Sequence, residues 1–139
     1  MDKRLKNYII SQMRLVAYRT INTEREAAKK AAKVDKSLWE CQQCQIKLYD
    51  GSSMKNFNVY KEKFGEEGIL WQKPQMDHIK PVSDNKNGWK DWNVFMDSLF
   101  CPKENYQAIC KSCHHIKTSE EAAERAASKK AKKKLAKKE

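Results

Sequence analysis

Two Cys-x-x-Cys pairs are the residues best suited to chemistry: Cys41 with Cys44 in WECQQCQIK, and Cys110 with Cys113 in YQAICKSCHHIKT. Brought together, they offer four thiolates at one point, the ligand set of a closed tetrahedral zinc site. Thiolates are soft ligands, and zinc accepts four of them with no vacancy, so the site they predict is structural rather than reactive. The x-x spacing and the odd total of five cysteines favour zinc over a disulfide framework and predict a reducing, cytoplasmic compartment. Cys101 is the cysteine left over, expected as a half-buried thiol. The 65 residues between the pairs exclude a simple finger. Zinc would instead pin the base of a strand-loop-strand to the start of a helix.

Between the pairs stands Asp77-His78, in MDHIKPV; Asn105 lies just ahead of the second pair, and His114 follows Cys113 directly. Neighbours on a strand face opposite ways, so one member of an Asp-His pair can bind metal while the other points elsewhere. A carboxylate and an imidazole with no third strong ligand leave room on a hard divalent ion for water and phosphate oxygens. Imidazole titrates near neutral pH, which frees His78 to act as a general base.

DHIKPV, followed by Asn105 in ENYQAICKSCHHIKT, resembles the HNH endonuclease family, whose site lies in a ββα-metal fold. The resemblance covers about residues 38–121, with the Asp-His, the central Asn, Cys-x-x-Cys-His and Lys-Thr in family order. An apolar helix expected over residues 89–100, ahead of Asn105, is similar to the phage-type branch with a four-cysteine structural zinc. The resemblance implies that Asp77 and His114 hold a catalytic divalent ion, Mg²⁺ or Mn²⁺ or similar. It implies further that His78 activates water, that Asn105 braces the loop between two strands and so orients His78, and that Lys117 lies beside the scissile phosphate. Lys80 and His115 are expected as further nucleic-acid contacts. Spacing from Asn105 selects His114 over the adjacent His115 as ligand. The implied activity is hydrolysis of DNA to 5′-phosphate and 3′-hydroxyl ends. The stretch 45–75 is longer than the family's usual spacer.

The elements that must position these groups are partly readable. Leu5, Ile9, Met13 and Val16 predict an amphipathic basic helix over residues 3–19. Thr23-Glu24-Arg25-Glu26 reads as a capping box with Thr23 as the cap, opening a helix to about Val34. The first cysteine pair is expected on a tight knuckle. Phe57, Val59 and Tyr60 suggest a short strand, broken by Gly65 and Gly68. Residues 75–83 predict a strand, a turn at Lys80-Pro81 and the start of a return strand. Asp84-Asn85-Lys86-Asn87-Gly88 is turn chemistry, and Trp89, Trp92, Phe95, Met96, Leu99 and Phe100 form a helical stripe ended by Pro102. A last helix should start near the second cysteine pair and run through residues 120–127 before dissolving into lysines.

The fold class expected is therefore α+β: a small ββα-metal core with a four-cysteine zinc site, flanked by N-terminal helices and a basic C-terminal helical tail. Three regions follow: a basic helical N-terminal extension over 1–36, the HNH nuclease domain over 37–127 and a lysine-rich tail over 128–139. At 139 residues this is one compact domain with tails, and no apolar run approaches the ~20 residues of a membrane span. The net charge is +11; residues 119–139 hold eight basic and four acidic side chains, leaving +7 on the remainder. A positive body with a positive tail suits a polyanion, and DNA is the expected partner. The chain is expected as a monomer or homodimer, in the host cytoplasm if phage-encoded, with other phage proteins as further partners. The alternative is a zinc-stapled nucleic-acid-binding protein without catalysis, which accounts for the cysteines and lysines but leaves Asp77, His78, Asn105 and His114 idle. A zinc-dependent adaptor leaves the charge idle as well.

Overall fold

The computed structural model describes residues 1–138. Helix α1 (Lys3–Ala17) is followed by α2 (Thr23–Ala31), and strands β1 (Lys33–Asp35), β2 (Leu38–Glu40) and β3 (Lys47–Tyr49) form a meander. Helix α3 (Met54–Phe64) then crosses over to β4 (Ile69–Trp71), which pairs parallel with β3 and completes a four-stranded sheet in the order β1-β2-β3-β4. A separate antiparallel pair is made by β5 (Gln75–His78) and β6 (Tyr106–Ile109), with α4 (Trp92–Leu99) and a 3-10 turn (Lys103–Asn105) between them. Helix α5 (Lys111–Lys138) leaves β6 directly. The architecture is mixed α+β, and among the described residues no helix is long and apolar enough to cross a membrane.

Several local expectations are corrected. Asn22, not Thr23, caps α2: its side chain accepts a hydrogen bond from the Arg25 amide at 3.3 Å. That helix stops at Ala31, and Lys33–Asp35 is a strand rather than its last turn. Residues 54–64 are helical, not a strand. Phe57, Tyr60 and Phe64 recur at helical spacing and pack on Leu38, Tyr49 and Ile69, while the Ser53 side chain caps the first turn. Tertiary burial of that stripe overrides the β preference of its aromatic and branched residues.

The return strand expected straight after Pro81 is also corrected. The partner of β5 is β6, reached only after α4, because residues 81–91 form the Asp84–Gly88 turn and the Asp91 cap of α4. Helix α4 starts at Trp92 instead of Trp89; Trp89 packs beside it under Lys6 of α1, whose ammonium sits 4.0 Å from the ring centroid. The buried face of α1 is rotated by one position, with Ile10, Met13 and Ala17 on Phe95 and Leu99, while Leu5 and Val16 are exposed. Both sets have helical spacing; small Ala17 lets the helix end lie close against α4. Cys101 is buried, deeper than the half-buried thiol expected. Finally, α5 does not dissolve at the lysines, since residues 111–138 contain no Gly or Pro and are rich in the strong helix formers Ala, Lys and Glu.

Candidate metal centre and cleft

The first cysteine pair sits on a knuckle between β2 and β3. The Cys41 amide donates to Ile46 O at 2.9 Å and the Gln45 amide to Cys41 O at 2.8 Å, with Gln45 in the left-handed region at φ 62°. The second pair lies at the start of α5, where the Cys113 amide donates to Cys110 Sγ at 3.4 Å. The four sulfurs lie within 4.8 Å of one another, and Cys44 Sγ stands 3.9 Å from Cys110 Sγ. Zinc–sulfur bonds of about 2.3 Å set a tetrahedral edge of about 3.8 Å, so the spacing fits zinc.

The donor chemistry agrees. Burial pushes the Cys41 thiol up, but amides of Cys44, Cys110 and Gln43 outweigh it and bring the thiol down to about 7. Cys113 moves the other way, raised by burial and by the sulfurs of Cys110, Cys44 and Cys41. Four sulfurs this close cannot all ionise unless a cation lies among them.

The second group of residues gathers on the hairpin β5–β6 and the first turns of α5. Asp77 pairs across the hairpin with Gln107, and His78 with Tyr106, so the two neighbours leave the strand on opposite faces. Asp77 Oδ1 faces His114 Nε2 at 3.9 Å. A cis pair of ligands about 2.1 Å from an ion stands about 3.0 Å apart, so this pair is near ligand spacing without having closed to it. Asp77 Oδ2 is held by Gln107 Nε2 at 3.1 Å and Lys117 Nζ at 3.0 Å. Among the described residues, the cysteines are the one group of three or more metal-capable side chains that converge.

Lys117 is the residue whose placement differs most from expectation. Its ammonium donates to His78 O at 2.9 Å and also pairs with Glu121 and Asp77. Burial pushes its pKa down, but the two carboxylates outweigh burial and raise it, so it stays a cation. It is tied into the site rather than extended toward a substrate. Lys80 and His115 are exposed.

Asn105 is hydrogen-bonded to the residues just beyond β5. Its Oδ1 accepts from the Lys80 amide at 3.0 Å, its Nδ2 donates to Lys80 O at 3.4 Å, and its carbonyl accepts from the Ile79 amide at 2.8 Å. His78 Nε2 lies 3.0 Å from Leu99 O. A carbonyl can only accept, so it is Nε2–H that donates in this bond.

The cleft into which these groups open is about 200 Å³ and is lined by Asp77, His78 and Lys117 together with Arg14, Tyr18 and Arg125. Arg14 lies on the basic helix α1, whereas Tyr18, just past its end, and Arg125, on a helix whose charge pattern looks like an ordinary solvated face, escaped sequence reasoning. Tyr106 was missed for the same reason as any buried aromatic. Its hydroxyl donates to Leu99 O at 3.0 Å and accepts from Asn22 Nδ2 at 3.0 Å, and its ring lies 4.8 Å from that of His78.

Protein-family models, curated proteins and solved structures give no match to this chain. The arrangement itself offers a sulfur site suited to zinc, a carboxylate–imidazole pair, and a cleft holding His78 among Arg14, Lys117, Arg125, Asp77 and Glu121.

Proposed function

We propose that this chain is a metal-dependent HNH-type endonuclease that hydrolyses DNA phosphodiester bonds, with β5, β6 and the start of α5 as a ββα-metal unit. The observation that carries the reading is that Asp77 and His78 line one cleft while His114 Nε2 stands 3.9 Å from Asp77 Oδ1, with Asn105 hydrogen-bonded to the strand end that bears His78. These residues span 38 positions of chain and are brought together by the β5–β6 hairpin and the first turn of α5.

A divalent cation held by Asp77 and His114 would supply positive charge against a non-bridging phosphate oxygen and the departing 3′-oxygen. His78 Nδ1 takes a proton from water as the water oxygen bonds to phosphorus and the bond to the 3′-oxygen breaks. Nε2–H donation to Leu99 O fixes the ring plane for that transfer. Arg14 and Arg125 give the cleft walls fixed positive charge suited to a phosphodiester.

One observation favours a second reading, a zinc-stapled nucleic-acid-binding protein with no turnover. The Lys117 ammonium already lies against Asp77, where a cation's charge would be needed. Supercoiled plasmid with Mg²⁺ or Mn²⁺, with and without EDTA, separates the two. Nicking that EDTA stops and that falls by roughly 10²–10⁴-fold in a folded His78→Ala variant selects the nuclease. Retarded but intact plasmid in every metal selects the binder.

A further inference from the structure

Gln107 is a buried amide in a strand whose other residues are apolar or aromatic. A buried amide needs both its ends paired, and here both are. Nε2 donates to Asp77 Oδ2 at 3.1 Å, and Oε1 accepts from Gln43 Nε2 at 2.9 Å. Gln43 belongs to the knuckle, between Cys41 and Cys44. The neighbouring Gln42 grips the same strand twice: its amide donates to Ala108 O at 2.9 Å and its Oε1 accepts from the Ala108 amide at 2.6 Å. The sulfur site is thus hydrogen-bonded to the residue that holds the Asp77 carboxylate.

An amide has one donor end and one acceptor end. If Gln107 turned over, its carbonyl would face a carboxylate, so Asp77 fixes the amide with its NH₂ end inward, and Gln43 holds the Oε1 end that is left. With Oδ2 taken by Gln107 and Lys117, Oδ1 is the oxygen left toward His114.

We propose that Gln43 and Gln107 are positioning residues that couple the cysteine site to Asp77, so that closure of the sulfur site sets the affinity of the Asp77–His114 pair for a divalent cation. This rests on the reading of that pair as a cation site. Residues that orient a metal ligand typically change metal affinity by about 10–100-fold when removed.

The test is titration of the zinc-loaded chain with Mn²⁺, followed by the electron paramagnetic resonance signal of free Mn²⁺, with zinc content and melting temperature measured alongside. Gln107→Leu should raise the Mn²⁺ Kd by about 10–100-fold. Gln43→Ala, at an exposed position, should raise it by a smaller factor with zinc content and melting unchanged. If Gln107→Leu does not fold, Gln43→Ala decides alone. Wild-type affinity in the folded variants overturns the coupling while leaving the cation site intact. A wild-type chain that keeps its zinc but binds no Mn²⁺ overturns the cation site, and the coupling with it.

Discussion

Tyr106 uses one hydroxyl for two hydrogen bonds, and both bear on His78. Leu99 ends α4, so its carbonyl is one that helix geometry leaves unsatisfied. Tyr106 and His78 both donate to it, and Asn22 holds the Tyr106 hydroxyl from the other side. Burial, the largest influence on Tyr106, raises its pKa and keeps the hydroxyl protonated to donate. Tyr106→Phe keeps the ring against His78 but strands a buried donor on Asn22, which should cost about 1–3 kcal/mol of stability. If nicking is established, kcat should fall roughly 10–100-fold as the base loses its alignment, while KM stays within about twofold. A change in KM alone would sink the positioning role. At this scale the sequence was legible where a residue type is rare in a packed interior and repeats a spacing, as with the four cysteines. Tyr106 and Gln107 were not, because each looks like part of an ordinary strand until its hydrogen-bond partners, brought from distant positions, are known.

Among the elements, helices with a single possible apolar face were readable and those with competing signals were not. The stripe from Trp92 to Leu99 allows one orientation. The α1 stripe allows two neighbouring ones, and contact with α4 chooses between them. Residues 54–64 mix β-favouring residues with a helical spacing that only the sheet beneath can reward. The cysteine site has a comparable effect on β6 and α5, which it joins to the β2–β3 knuckle. Cys110 is buried, and its Sγ accepts from the first turn of α5. Binding of zinc to such sites contributes about 10–16 kcal/mol to folding, more than most small domains have in total. Cys110→Ser should therefore lose both its zinc and its cooperative thermal transition, measured by metal analysis and circular dichroism. A variant that melts like wild type would refute the structural role of the quartet.

Over the whole molecule, charge is distributed in two tiers. Arg14, Lys117 and Arg125 stand at the cleft, Lys117 held by ion pairs to Asp77 and Glu121 and Arg125 by a hydrogen bond to Asn85. The second tier is the distal part of α5, a continuous helix that carries Lys129, Lys130, Lys133, Lys134 and Lys137 within an arc of about 140° at about 100° per residue. That arc lies opposite the stripe of Lys117, Glu121, Arg125 and Ser128, which faces the body through contacts such as Ser128 Oγ to Lys86 O at 3.3 Å. The lysine face is free of the cleft, so on the proposed reading its attraction for a polyanion would add to affinity without touching Asp77, His78 or His114. Each phosphate neutralised on duplex DNA contributes about 0.9 to the slope of log K against log salt. Four or five lysines on one face should then give a slope change of about 4 when residues 128–139 are removed. The truncated chain should bind markedly more weakly at low salt, converge on wild type at high salt, and cleave at an unchanged maximal rate if it cleaves at all. Titrations at several salt concentrations measure the slope, and an identical slope with and without the tail would show that this helix face never meets the phosphates.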